Sequence, residues 1–313
     1  MVLKNMSPDS SYPSYLPLSE SGKLRKIVQT LNAALNKCTL CPRECGVNRL
    51  ADEIGVCATG RLPMVSSYSP HFGEERPLVG KNGSGTIFMS NCNLKCIFCQ
   101  NYMISHRGEG KEVPIAELAD YMVYLQGIGC HNINFVTPTH VIAQIASAVE
   151  IAVEKGLRIP LVYNCGGYES TETLRTIDGI FDIYMPDIKY SCGKVAQELS
   201  KAKDYPSVVK AAVKEMYRQV GKLVIDKRGI ATRGLLVRHL VLPGNLAGTK
   251  DVLHFPAHEI SLDTYLNLMD QYRPCYKAFE HPPLDRAITH GEFKRAIDLA
   301  LEFGFRRIDS VTI

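Results

Sequence analysis

The stretch "NCNLKCIFCQNY" places Cys92, Cys96 and Cys99 within eight residues, spaced C-x3-C-x2-C, and no fourth cysteine follows closely. A tetrahedral metal site normally takes four protein ligands. A four-iron cubane instead takes one thiolate per iron. Three thiolates on one tight loop therefore hold three irons and leave the fourth open to a small molecule, much as a catalytic zinc keeps an open position. Two other readings of the triad are a structural zinc site completed by a distant residue such as His71, and three core cysteines without metal. The spacing, the apolar run just before it and Phe98 beside the third cysteine favour the cluster.

A second group lies upstream. "CTLCPRECGVNRLADEIGVC" supplies Cys38, Cys41, Cys45 and Cys57, spaced C-x2-C-x3-C-x11-C. Four thiolates with a short first gap suit zinc or a closed iron–sulfur cluster. The gaps match neither the ferredoxin run nor a common zinc finger, and packing without metal is the alternative. The spacing does not choose among them.

Other chemistry-bearing residues sit at the ends of apolar runs. "MPDIKY" carries Asp187 and Lys189 two positions apart. Alternation along an extended chain puts both on one side, where they face a ligand or form a surface ion pair worth little. "YNCGGYE" offers Asn164 and Cys165 at a ligand edge, and Gly166 and Gly167 let the backbone turn closely. The plain alternative is an ordinary strand-to-helix turn. Arg238 interrupts the apolar run "LLVRHLVL", and a charge there demands a partner. A carboxylate, from the protein or from a ligand, matches its guanidinium. His239 alternates to the other side as a satisfied core histidine. In "TPTH", the hydroxyl of Thr137 or a backbone carbonyl offers hydrogen-bond acceptors, and His140 reads as a helix-start residue.

These positions need elements to hold them. Strands are expected at 85–90, 132–136, 159–164, 181–185, 235–242 and 264–270. Helical spacing of apolar residues marks 114–129, 140–156, 206–221 and 291–305. Strand–helix alternation with near-continuous apolar strands implies a parallel sheet covered by helices. Six such units suit a partial (β/α)6 barrel, an α/β fold whose ligand site lies at the C-terminal ends of the strands. Residues 85–313 are expected to form that barrel. Residues 1–84, with the four upstream cysteines, are expected to form a separate loop-rich N-terminal extension packed on it.

At 313 residues and 45% hydrophobic composition, the chain can bury a sizeable core. Its formal net charge is +4, without a basic run or stripe, so a nucleic-acid partner is not indicated. No stretch reaches the ~18 apolar residues needed to span a bilayer, and the irregular N-terminus lacks the apolar core of a secretory signal. A cytoplasmic protein without a membrane partner is the expectation. The eleven cysteines are clustered and odd in number, which points to metal rather than to a disulfide framework. Cys130, Cys165, Cys192 and Cys275 stand alone.

"CNLKCIFC" resembles the signature of the radical S-adenosylmethionine (SAM) enzymes. That resemblance implies a partial (β/α)6 barrel and a [4Fe–4S] cluster whose open iron is chelated by the amino and carboxylate groups of SAM. One electron then cleaves the sulfonium to a 5′-deoxyadenosyl radical, which abstracts hydrogen. From about residue 38 onward, "CTLCPRECGVNR", "GSGTIFMSNCNLKCIFCQNY", "NINFVTPTH", "YNCGGYE", "DIYMPDIKY" and "GLLVRHLVLPG" resemble the homologue group of the pyruvate formate-lyase activating enzymes. The resemblance implies SAM contacts for Asn164, Asp187, Lys189 and Arg238, and a cation set of Asn164, Cys165, Met185 and Asp187. It also implies a glycyl-radical enzyme as protein substrate and a flavodoxin- or ferredoxin-type reductant. The usual Gly-Gly-Glu-like motif at the second strand is replaced by "TPTH".

Three classes of function compete. The first is a radical enzyme acting on a macromolecule, with a peptide, RNA or small molecule as the alternative substrate. The second is an iron–sulfur electron carrier, which gains nothing from a vacant iron. The third is a zinc-dependent nucleic-acid binder, which the weak charge signal disfavours.

Overall fold

The computed structural model describes residues 12–310; the lead-in before Tyr12 lies outside them. Two helices come first, α1 (Tyr15–Glu20) and α2 (Lys23–Ala34). Strand β1 (Met64–His71), the short helix α3 (Arg76–Val79) and β2 (Ser84–Met89) follow, then α4 (Tyr102–Ser105), β3 (Lys111–Glu112) and α5 (Ile115–Gly127). Next come β4 (Ile133–Val136), α6 (Ile142–Glu154), β5 (Leu161–Cys165), α7 (Thr171–Thr176), β6 (Ile183–Pro186), α8 (Gly193–Ser200) and α9 (Tyr205–Val220). The chain ends with β7 (Val224–Ile225), β8 (Ala231–Leu240), α10 (Thr249–Glu259), β9 (Tyr265–Met269), α11 (His290–Glu302) and β10 (Arg307–Ser310).

Strands β2, β4, β5, β6, β8, β9 and β10 lie side by side in chain order and run parallel. The helices between them cover the outer face, as right-handed crossovers require. This is the expected α/β barrel wall, with one strand more than expected: β10 is a four-residue run after the last helix. Antiparallel β1 extends the sheet beyond β2, and β3 pairs with β1. Among the described residues β10 does not pair with β1 or β3, so the barrel stays open.

Helix ends follow the local sequence. Pro114 precedes α5, Pro206 lies in the first turn of α9, and Gly221 ends α9 at φ +68°. Thr289 and Glu292 form a reciprocal capping box at the start of α11.

Period-two alternation sorts the strand side chains. Tyr163, Cys165, Tyr184 and Val237 join the outer core beneath the helices. Val162, Ile183, Met185 and Leu236 form an inner cluster with Leu78 of α3, Leu223 and Ala231. One step further along the same face come Asn164, Asp187 and Arg238.

The N-terminal segment departs from expectation. Among the described residues its longest irregular stretch runs from Cys38 to Pro63, broken by one short 3-10 turn. Helix α2 packs its Leu24, Val28 and Leu31 face onto the barrel helices, and Asn32 Nδ2 donates to Ser147 Oγ of α6 at 2.9 Å. Strand β1 pairs with β2 from Val65↔Met89 to His71↔Ser84, so the sheet runs across residue 84. The β1–β2 connection then enters the barrel, where Leu78 is fully buried. The pattern in "MVSSYSPH" hid β1: only Val65 is fully buried, so its apolar signal is faint.

Candidate active site

The triad loop follows β2 directly, at the C-terminal edge of the parallel strands. Its cysteines are held by donors. Ser200 Oγ donates to Cys96 Sγ at 2.9 Å, Leu94 N donates to Cys92 Sγ at 3.4 Å, and Cys99 Sγ lies 3.2 Å from Ser105 Oγ. Such bonds favour thiolate over thiol. Burial, then the neighbouring Cys96, pushes the Cys92 thiol up to about 12 and raises Cys99 too. A cationic metal is what draws protons from thiols in that setting. His71 ends β1 beside Ser84, at the opposite end of β2, so it cannot complete a zinc site with the triad.

Further contacts fix the loop. Ile97 N donates to Leu199 O at 2.9 Å, and the ring of Phe98 meets Tyr190 and Tyr272 edge-on. The turn-rich segment after β9 packs here as well: Lys277 N donates to Ile97 O at 2.9 Å, and Tyr276 stacks on Tyr102. Gly166 explains one half of its glycine pair. A Cβ there would sit 2.8 Å from Leu94 Cδ1 of the triad loop. Gly167 has φ +77°, and a Cβ there would lie 2.3 Å from the carbonyl oxygen of Asp187.

Asn164, Asp187, Lys189 and Arg238 form one network. Lys189 Nζ donates to Asp187 Oδ2 at 2.6 Å, Arg238 Nε to Asp187 Oδ1 at 2.8 Å, and Arg238 Nη2 to Asn164 Oδ1 at 2.7 Å. Burial alone would raise the Asp187 carboxyl; Arg238 and Lys189 outweigh it and hold it below the usual range. The side chain of Lys189 is 17% exposed, and the charge of Cys96 adds to that of Asp187 in keeping it protonated despite burial. The stem of Lys189 and Leu94 of the triad loop both border Gly166.

Two carboxylates absent from the expected set complete it. Glu75 Oε1 lies 3.6 Å from Arg238 Nη1 and accepts from Asn267 Nδ2 at 3.0 Å, and Glu74 Oε2 lies 4.0 Å from Arg238. Burial and then Glu75 raise the Glu74 carboxyl. Both come from the β1–β2 connection, "FGEERPL", which has no periodicity to announce an inward position. Arg238 thus finds its carboxylates within the protein.

The expected cation set does not assemble. Cys165 faces the outer core, with its thiol raised well above the ordinary value by burial and then Glu169. Met185 belongs to the apolar inner cluster, and both oxygens of Asp187 already meet cationic side chains. Alternation gives the reason: Asn164 and Cys165 are adjacent and cannot share a face.

At "TPTH", Thr137 has φ +63°, a conformation that a β-branched residue adopts only under constraint. Its N–H donates to Asn164 O at 2.8 Å. On β4, Asn134 is fully buried, and among the described residues neither amide atom has a hydrogen-bond partner. His239 behaves as expected: Nδ1–H donates to Ile188 O at 2.7 Å and Nε2 accepts from Thr249 Oγ1 at 3.0 Å. Glu169, in the quoted "YNCGGYE", is buried with Thr139 and Tyr163 hydroxyls on its oxygens, and burial raises it to about 7.

The radical SAM superfamily model matches residues 86–225. The uncharacterized protein MJ0674 of Methanocaldococcus jannaschii is 30% identical over 312 residues, covering 96% of this chain and 85% of that one. This chain belongs to the radical SAM superfamily. A second protein of the same organism, the uncharacterized protein MJ0808, is 25% identical over 296 residues, covering 87% of this chain and 80% of its own. Among solved structures, the radical SAM chain resembles HydG, a maturase of the [FeFe]-hydrogenase, with a TM-score of 0.50 and 10% identity. That match covers 97% of this chain but 66% of HydG, and at such identity it speaks to the fold alone.

A radical SAM enzyme uses a [4Fe–4S] cluster and SAM, and the residues present fit both. Three thiols with hydrogen-bond partners occupy one loop at the strand ends. A cubane takes one thiolate per iron, so three thiols on one loop suit a cluster with one iron left for SAM. No helix among the described residues is long and apolar enough to cross a membrane.

Proposed function

We propose that this radical SAM enzyme acts on a macromolecule, with the backbone glycine of a glycyl-radical enzyme as its first candidate target. Cys92, Cys96 and Cys99 hold the [4Fe–4S] cluster in this reading. When bound, the cluster would supply one electron to the sulfonium of SAM, releasing methionine and the 5′-deoxyadenosyl radical that would abstract hydrogen from the substrate. Lys189 and Asn164 face SAM from the strand ends. Asp187, fixed between Lys189 and Arg238, keeps Lys189 charged and oriented. Thr137 and the backbone of its turn take the corner that a Gly-Gly-Glu-like motif fills elsewhere in the superfamily.

The packing of the barrel interior carries the macromolecular reading. Beneath Asn164, Asp187 and Arg238 the inner face is filled by Leu78, Val162, Ile183, Met185 and Leu236, all at most 2% exposed. A substrate therefore approaches over the rim of the strand ends rather than from within. A docked peptide loop also expels water from around a reactive radical. A flavodoxin- or ferredoxin-type protein serves as reductant.

The test uses reduced enzyme, SAM and candidate partner proteins carrying deuterated glycine. Deuterium appearing in 5′-deoxyadenosine from the partner's glycine is the expected result. Transfer only from a free metabolite sinks the activase reading and leaves the superfamily assignment intact.

A further inference from the structure

The four upstream cysteines line one small pocket, which Arg49 and His140 also line. Cys38, Cys41 and Cys57 are buried there, and Cys45 is half-buried. The backbone is shaped around the sulfurs. Val56 N donates to Cys45 Sγ at 3.4 Å, and a Cβ on Gly55 would lie 2.7 Å from Cys45 Sγ. Cys38 N donates to Val47 O, and Gly46 N donates back to Cys38 O, closing the loop.

Arg49 is the second, independent observation. It is 1% exposed, and among the described residues no carboxylate reaches it. Its Nε donates to Gly60 O at 3.1 Å and Nη1 to His140 O at 2.6 Å, with Cys38 Sγ 3.9 Å from Nη1. Among the described residues its Nη2 has no hydrogen-bond partner. A buried guanidinium without a counter-charge is costly. The thiol of Cys38 lies beside it, and four thiolates bring more negative charge than a cubane core neutralises.

We infer that Cys38, Cys41, Cys45 and Cys57 hold a second iron–sulfur cluster of the cubane type, with Arg49 as its buried counter-charge. Hydrogen bonds join this loop to the triad loop, which places the centre beside an iron–sulfur cluster and favours iron over a lone zinc. Four protein thiolates leave no open iron, so this cluster does not bind SAM. It is tied to the triad loop on both sides of Cys92. Asn91 Nδ2 donates to Ala58 O and to Thr59 Oγ1, each at 3.1 Å, just past Cys57. Arg43 Nε donates to Asn93 O at 2.9 Å, from between Cys41 and Cys45. The inference is independent of which substrate the triad serves.

The test is a chain carrying Cys92→Ala, Cys96→Ala and Cys99→Ala, purified without oxygen and supplied with iron and sulfide. About four irons and four sulfides per chain are expected, with a reduced paramagnetic signal that SAM leaves unchanged. One zinc without iron, or no metal, overturns the inference. Should that variant not fold, the unaltered chain decides: about eight irons support a second cubane and about four refute it. Arg49→Met keeps the packed stem and removes the charge. It is expected to shift the midpoint potential of the SAM-insensitive signal to a more negative value, with Arg49→Lys recovering it. An unchanged potential in Arg49→Met removes the counter-charge role.

Discussion

At the scale of single residues, Arg238 has the largest consequences. It joins Asp187, Asn164 and the two glutamates of the β1–β2 connection in one buried network. Truncating it leaves Glu75 without a cation and Asp187 with Lys189 alone. Removing one partner of a buried pair typically costs about 3–5 kcal/mol. Arg238→Ala is therefore expected to lower the denaturant midpoint by an amount of that order, before any effect on SAM binding. Asn164→Ala removes one neutral acceptor and is expected to cost about 1–3 kcal/mol. Equal midpoints for Arg238→Ala and the unaltered protein would mean that the network is ornamental. Asn164, Asp187, Lys189 and Arg238 were legible because alternation in short apolar runs assigns a face to each. Glu74 and Glu75 were not, because their inward position depends on a connection folding back across the chain. The sequence has no periodic signal for that. Cys165 was misplaced because a motif was read as a block, whereas alternation separates neighbours.

At the scale of elements, the turn after β5 controls how closely two loops approach. Gly166 admits Leu94 of the triad loop, and Gly167 takes φ +77° against the carbonyl of Asp187. Gly166→Ala meets the end of a side chain that can rotate, so its cost is modest. Gly167→Ala meets backbone at 2.3 Å and also enters a left-handed conformation, which alone costs about 1–2 kcal/mol. Thermal unfolding is expected to rank the three proteins with the unaltered chain highest, Gly166→Ala next and Gly167→Ala lowest. The reverse order for the two variants would show that the triad loop, rather than the strand-end backbone, is the less yielding neighbour. The six expected strands and four expected helices all appear, because long amphipathic helices and fully buried strands carry strong patterns. Strands β1, β3, β7 and β10 escaped notice, being either short or mostly polar along their length.

At the scale of the whole molecule, the segment before residue 84 is part of the barrel's construction. Strand β1 supplies the antiparallel neighbour of β2, whose loop carries the triad. Leu78 fills the inner cluster, and full burial of one leucine is worth roughly 1.5–3 kcal/mol. Glu75 reaches Arg238 and Asn267, while Arg43 and Asn91 bind the upstream loop to the triad loop. Ser14 N and Oγ donate to Asp182 at the start of β6, at 2.9 and 2.8 Å, and Tyr15 OH donates to Ile159 O at 2.8 Å. Each contact is long-range in sequence, which is why composition and motif spacing suggested an appendage. A fragment beginning at residue 85 would expose the hydrogen-bonding edge of β2, open a void among Val162, Ile183, Met185 and Leu236, and leave Arg238 short of a carboxylate. Its losses together match the whole stability of an ordinary domain, about 5–15 kcal/mol. The fragment is therefore expected to lack a cooperative denaturant transition and to precipitate along the bared strand. A fragment that unfolds cooperatively with the midpoint of the full chain would establish the upstream segment as an addition to a self-sufficient barrel.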